Sequence, residues 1–453
     1  MTDTVSRRAF LRYSSTLAAA GVATPFAINL AAMSEAAAAT ASDYKAIVCV
    51  FLQGGNDYAN TLVNYDTPSY NLYNGFRPNL AISRAALTPT LLKPLTALSA
   101  GRQFALAPPL APLLPIFDAG KMAALLNLGT LIQPTTKAQL NAGAPLPPKL
   151  FSHVDQVAFF QSSMQDASAV DGWGGRMADL LYSGNGRSVF TSVNLERSAI
   201  FLTGANVLQY AVSPYGASLP GALQNAAYGD ALRASITASS LHLMERHYSN
   251  TTNRALDAYA KLDSALAGAP AISTPFPANS YLADQLKTVA KLISVSAALG
   301  LRRQIFYVQL GGFDNHDFLL TAQPKLLDEV ARAVRAFYDA TVELNVSNKV
   351  TTFTGSDFGR SLIANRDGSD HGWGSMQFVL GGAVKGRQFY GKAPVIADDG
   401  PDDVGQGRLL PSTSIDQFAA TLATWFGVAN GDLPYVMPNI SNWNQSDWNL
   451  GFL

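Results

Sequence analysis

Residues 45–57 read Lys-Ala-Ile-Val-Cys-Val-Phe-Leu-Gln-Gly-Gly-Asn-Asp. The run 45–52 is apolar without alternation, the pattern of a strand covered on both faces. It breaks at two glycines and then an acid. The same grammar recurs twice. Residues 304–310 run into Gly311-Gly312-Phe313-Asp314-Asn315-His316, and 349–354 run into Gly355-Ser356-Asp357-Phe358-Gly359-Arg360. Apolar runs at 121–128 and 376–381 predict two more strands. Leu326, Leu327, Val330, Val334 and Phe337 mark an amphipathic helix, Ser152 begins one through about 163, and Ser414 begins one through Phe426. Residues 228–268 and 279–300 predict helices within a helical segment at about 205–300. Strands alternating with helices, with no internal repeat, predict an α/β fold: a mostly parallel sheet between two helical layers.

In an open α/β sheet, ligands bind at the carboxyl ends of the strands. Were the three glycine-ended strands parallel neighbours, Asp57, Asp314 and Asp357 would share one edge. Three carboxylates so placed repel unless a cation sits between them. A divalent metal (Zn, Mn, Ca or Mg) suits this donor set. The chain has five histidines. His316 lies in one of the turns. His371 lies in Gly368-Ser369-Asp370-His371-Gly372-Trp373, and His153 opens the helix after strand 121–128. His242 and His247, in the helical segment, read as solvent-facing or structural. One aspartate after a strand is ordinarily a turn or cap residue; three, two with a histidine nearby, point to a site. Arg360 and Asn56 are candidates for holding anionic oxygens. Ser152 is a candidate nucleophile and equally the expected helix cap.

Hydrophobic residues make up 48% of 453, which excludes a disordered chain, and the formal net charge of zero gives no footprint for nucleic acid. Cys49 is the single cysteine, so a disulfide framework and a cysteine zinc cluster are excluded. No G-x-S-x-G, P-loop or G-x-G-x-x-G motif occurs, so serine-esterase, NTPase and dinucleotide readings lose support. At the N-terminus, Ser6-Arg7-Arg8-Ala9-Phe10-Leu11-Arg12 is a twin-arginine motif. The uncharged stretch 13–33 and Ala39-Thr40-Ala41 follow. This predicts a cleaved signal at 1–41 and a mature domain at 42–453 without a stable membrane span. The twin-arginine translocation machinery would then be a partner, and the location periplasmic or extracellular.

Phe-Leu-Gln-Gly-Gly-Asn-Asp, Phe-Ser-His-Val-Asp at 151–155, Gly-Gly-Phe-Asp-Asn-His, Ser-Asp-Phe-Gly-Arg and Gly-Ser-Asp-His-Gly-Trp follow the export motif in that order. Over nearly all of the mature chain this resembles the bacterial family called domain of unknown function 1501. That family in turn resembles the alkaline phosphatase and sulfatase superfamily. The resemblance implies a three-layer alkaline phosphatase-like fold with metals at the strand ends. It implies Asp57 as the first-strand metal ligand and Ser152 at the nucleophile's place. It further implies Asp314, His316 and His371 at one metal and Asp357 at a second. The sequence departs from that pattern: Phe358 stands where the superfamily often has a histidine, and the Asp314–His316 spacing is short. One metal, or two with a ligand set that includes His153, is therefore expected. The expected function is an exported metal-dependent hydrolase of phosphate or sulfate esters, with Ser152 or a water as the nucleophile. The rival expectation is a non-catalytic, metal-stabilised envelope protein with a degenerate site, binding or assembling a surface polymer.

Overall fold

The apolar run at 45–52 forms the central strand β1 (Lys45–Leu52), whose side chains are buried on both faces from Ala46 onward. This computed structural model describes residues 43–165, 168–196 and 198–453. The expected export signal at 1–41 lies outside the described residues. The other strands of the large sheet are β2 (Met122–Gly129), β3 (Ser192–Asn194), β4 (Tyr210–Ala211), β5 (Arg303–Leu310), β6 (Val350–Ser356), β7 (Ser375–Gly381), β8 (Phe389–Gly391) and β9 (Thr413–Ser414). Their order is β8-β2-β7-β6-β1-β5-β3-β4, with β9 on β2. Only β7 runs antiparallel to its neighbours. The fold is thus mixed α/β around a mostly parallel sheet.

Alternation along β1 separates the two helical layers. Ala46, Val48, Val50 and Leu52 pack with α4 (Tyr281–Ser294) and α5 (Leu319–Glu343). Ile47, Cys49 and Phe51 pack with α6 (Ile415–Phe426), and with Phe159 and Phe160 of α2 (His153–Ser162). Two further helices frame the account, α1 (Thr67–Phe76) and the long α3 (Leu243–Ala267). Cys49 is 1% exposed and burial pushes its thiol well up, so it serves the core. Trp443 and Phe452 of the tail are buried and close the core, with Trp448 partly buried beside them.

Register is what builds the site. β1 pairs with β5 from Lys45↔Arg303 to Leu52↔Leu310, and with β6 from Ala46↔Val350 to Leu52↔Ser356. The three strands therefore end level, and their glycine turns leave the sheet side by side. Two further features complete the architecture. The Gly- and Ser-rich stretch 164–227 contributes β3, β4 and a helix at Trp173–Leu181. Residues 360–371 form a hairpin, Arg360–Ala364 against Ser369–His371.

α6 begins with a capping box between Ser414 and Gln417. Its Asp416 is fully buried, accepts hydroxyl bonds from Ser163 and Ser414, and has its pKa pushed up to about 6 by burial. A carboxyl whose folded pKa lies above its unfolded value of 3.8 favours folding fully below that value. The contribution is lost as the pH rises through about 6. Asp416→Asn is expected to flatten this slope. Between pH 4 and 7 the parent should lose on the order of 3 kcal/mol relative to the variant in urea unfolding; parallel profiles would refute the assignment.

Candidate metal centre

The level strand ends place Asp314 after β5 and Asp357 after β6. Gly54, after β1, lies so close that a Cβ there would collide with the Asp314 backbone amide; its φ of 118° is one that glycine adopts freely. His153 enters from the start of α2, His316 from the β5 turn and His371 from the 360–371 hairpin.

Ring nitrogens and carboxylate oxygens converge. His371 Nε2 lies 3.1 Å from His153 Nε2, 2.9 Å from His316 Nε2 and 3.2 Å from Asp314 Oδ1. His316 Nε2 is 3.1 Å from Asp314 Oδ1, and His153 Nε2 is 3.4 Å from Asp314 Oδ2. Ligands about 2.0–2.1 Å from a tetrahedral zinc stand about 3.3 Å from one another. Five of the six pairwise spacings, 2.9–3.4 Å, fall near that edge length; His153, Asp314 and His371 are the mutually close trio, and His316 stands beside His371 and Asp314.

The opposite ring nitrogens decide the protonation. His371 Nδ1 lies 2.7 Å from the Phe151 carbonyl oxygen, which can only accept, so the proton sits on Nδ1. His153 Nδ1 lies 2.7 Å from Asp357 Oδ2, and His316 Nδ1 lies 3.3 Å from Asp370 Oδ1. With Nδ1 donating outward, a neutral ring turns its Nε2 lone pair inward, the arrangement typical of metal-ligating histidines. Lone pairs at these separations repel unless a positive charge lies between them. The donor set, three imidazoles and a carboxylate, fits a divalent ion. The Asp357 hydrogen bond raises the His153 pKa against the burial that lowers it, whereas burial lowers that of His371. Burial opposes ionisation of Asp314, but the Arg360 hydrogen bond and charge outweigh it and hold the carboxyl below its usual range.

The structure brings His153, His316, His371 and Asp314 together and separates the other sequence candidates from them. Asp357 accepts from His153 Nδ1 and the Gly54 amide, so it orients a ring rather than facing the lone pairs. Asp57 departs further from the expected ligand role. Both its oxygens meet the Arg77 guanidinium, at 2.8 and 3.1 Å, and they also accept from the Asn60 amide and the Ser369 hydroxyl. Its charge is already neutralised and its lone pairs are used. Asn56 is 1% exposed, its Oδ1 accepts from Thr61 and Gln323, and it is not among the described residues that line the cavity beside the cluster. Arg360, fully buried, grips Asp314 Oδ1 at 2.6 Å together with the Gly54 and Ser369 carbonyls. Its guanidinium is thus committed to protein groups. Ser152 is the residue before α2, yet its hydroxyl makes no cap bond; it donates to Asp155 Oδ2 at 2.6 Å.

Three supporting residues escaped the sequence reading. Phe151 has φ 72°, a conformation rare for a non-glycine residue, and from it presents its carbonyl to His371. Arg408 donates to the His371 carbonyl at 2.7 Å and lies 4.9 Å over the Phe151 ring. Asp370, next to His371 in the Gly-Ser-Asp-His motif, was the one with a visible signal. Phe358 packs its ring 4.8 Å from His153 and 4.9 Å from His371, and so fills the place expected of another imidazole. A cavity of about 550 Å³ opens beside the cluster, lined by Gln53, His153, Val157, Ile200, Asp314 and Asp357 among others.

Asp357→Asn, which removes the carboxylate behind His153, is expected to weaken divalent-metal affinity about 10–100-fold in chelator competition. Unchanged affinity would show that Asp357 does not support the centre.

Among curated proteins none matches this chain. It is similar to several solved structures. One is the PsFucS1 sulfatase from Pseudoalteromonas sp., at 9% identity over 88% of this chain and 72% of that one, with a TM-score of 0.33. Another is the lipoteichoic acid synthase LtaP from Listeria monocytogenes, at 9% over 87% and 75%, TM-score 0.33. A third is the soluble domain of lipooligosaccharide phosphoethanolamine transferase A from Neisseria meningitidis, at 9% over 87% and 93%, TM-score 0.34. The family described as Protein of unknown function (DUF1501) matches residues 44–435. The chain belongs to that family.

Proposed function

We propose that this protein is an exported, metal-dependent hydrolase of phosphate or sulfate esters, with one divalent ion held by His153, His316, His371 and Asp314. The convergence of three inward Nε2 lone pairs and a carboxylate at the mouth of an open cavity carries this reading. Bound there, a divalent ion supplies positive charge that polarises an ester oxygen and acidifies a water. Asp314, Asp357 and Asp370 balance Arg360 and a divalent ion, so the loaded centre is close to neutral as a whole, and an anionic ester would meet the positive charge at the ion's open face. Arg360 fixes the Asp314 carboxylate, and Asp357, Asp370 and the Phe151 carbonyl fix the three rings. Val157 and Ile200 give the cavity an apolar wall for the alcohol part of the ester.

Ser152 is bonded to Asp155 and is not among the residues lining the cavity, which favours water over serine as nucleophile. Ser152→Ala is expected to keep kcat within about threefold on aryl phosphate and aryl sulfate esters, whereas loss of an essential nucleophile would cost about 10³-fold or more. Turnover by the metal-loaded protein that disappears on chelation and returns with metal supports the hydrolase.

The second reading, a non-catalytic metal-stabilised envelope protein, draws on Phe358 filling an imidazole's place and Asp57 being committed to Arg77. Under that reading metal raises the unfolding temperature and no ester turns over. Export by the twin-arginine route to the periplasm or beyond rests on the motif at 6–12. Among the described residues no helix is long and apolar enough to cross a membrane.

A further inference from the structure

The long helix α3 has 25 residues, yet only Ser249, Ala258 and Leu262 are buried. Tyr248, Thr252, Ala255, Tyr259 and Leu262 recur three or four apart and share one face. That face lines a cavity of about 980 Å³ whose opposite side includes the edge strand β4 and the chain that follows it. Protein interiors are close-packed, with few voids larger than a water, whereas ligand sites commonly enclose about 300–1,000 Å³ with apolar and aromatic walls. Among the described residues none lines both this cavity and the one beside the metal centre.

Charge and ring content indicate the occupant. Among the described residues, Glu196 is the only one lining the cavity that carries a charge at neutral pH, and Tyr210, Tyr248, Tyr259 and Tyr281 supply aromatic rings. The Tyr281 hydroxyl donates to Glu196 Oε2 at 2.9 Å and so fixes the carboxylate. A carboxylate among tyrosine rings attracts an organic cation, by ion pairing and by the negative faces of the rings. The leucines and Val212 offer an apolar surface to the remainder of the molecule. We infer that this cavity is a second binding site, for an amphipathic molecule with an apolar body and an ammonium group. The inference stands apart from the metal centre.

Calorimetric titration of the full chain with a matched trio tests it: protonated phenylbutylamine, phenylbutanol and phenylbutanoate. The expected result is saturable 1:1 binding with the amine at least about tenfold tighter than the carboxylate. Glu196→Gln should bring that ratio near unity while leaving the alcohol's affinity unchanged. Ala255→Trp, at an exposed position on the cavity face of α3, should abolish binding of all three without altering thermal unfolding. Equal affinities in the parent, or a preference that survives Glu196→Gln, would overturn the ammonium assignment. Absence of saturable binding, or undiminished binding in a folded Ala255→Trp, would overturn the site itself.

Discussion

His371→Ala is expected to lower divalent-metal affinity by on the order of 10³-fold, the share of one ligand when three or four hold an ion by about 10–16 kcal/mol in total. His371 is the sharpest choice because its Nε2 stands within 3.2 Å of His153 Nε2, His316 Nε2 and Asp314 Oδ1 at once. Removing it leaves the other donors without their common neighbour. Asp314→Ala should do comparable damage, since Asp314 supplies the one carboxylate of the set and neutralises part of the ion's charge. Competition against a chromogenic chelator measures both. Equal affinity in the parent and in a folded His371→Ala would place the metal elsewhere or nowhere.

Arg77→Leu is expected to cost about 3–5 kcal/mol of folding stability. Arg77 is 0% and Asp57 2% exposed, and their ion pair is bidentate. The guanidinium also donates to the carbonyls of Ser361 and Leu362, which ties α1's exit to the hairpin bearing His371. Burial alone would raise the Asp57 pKa; Arg77 outweighs it and holds the carboxyl below its ordinary range. With the arginine gone, a buried carboxylate loses its counter-charge, which is what makes such truncations severe. Asp57→Asn/Arg77→Leu should recover much of the loss, because no unpaired charge remains. Denaturant unfolding at pH 7 reads both. A loss below about 1 kcal/mol in Arg77→Leu would mean that Asp57 is compensated by something else, and would reopen its role as a metal ligand.

Asp57 shows where sequence reading stops. It ends a strand after a glycine turn as Asp314 and Asp357 do, and nothing local separates the three. The separation comes from Arg77, 20 residues on, which the return of α1 brings back to it. The strands β1, β5 and β6 were legible because both of their faces are covered, so their apolar runs are unbroken. Their common end was legible from the glycine-then-acid pattern, and the observed register places the three turns level. The 360–371 hairpin was not legible. Its strands carry Arg360, Asp370 and His371, whose side chains serve the site instead of alternating between core and solvent. The Phe151 carbonyl was invisible for another reason: every residue has one, and only the positive φ at 151 aims this one at a histidine.

One divalent ion among His153, His316, His371 and Asp314 is what the proposed hydrolase requires. The most direct test is elemental mass spectrometry on the full chain, exported folded and purified without chelator, beside an Asp314→Ala/His371→Ala control. One equivalent of a single divalent metal is expected in the parent and a small fraction of that in the control. A folded parent without stoichiometric metal, or a control that retains it, would rule out an ion at these four residues.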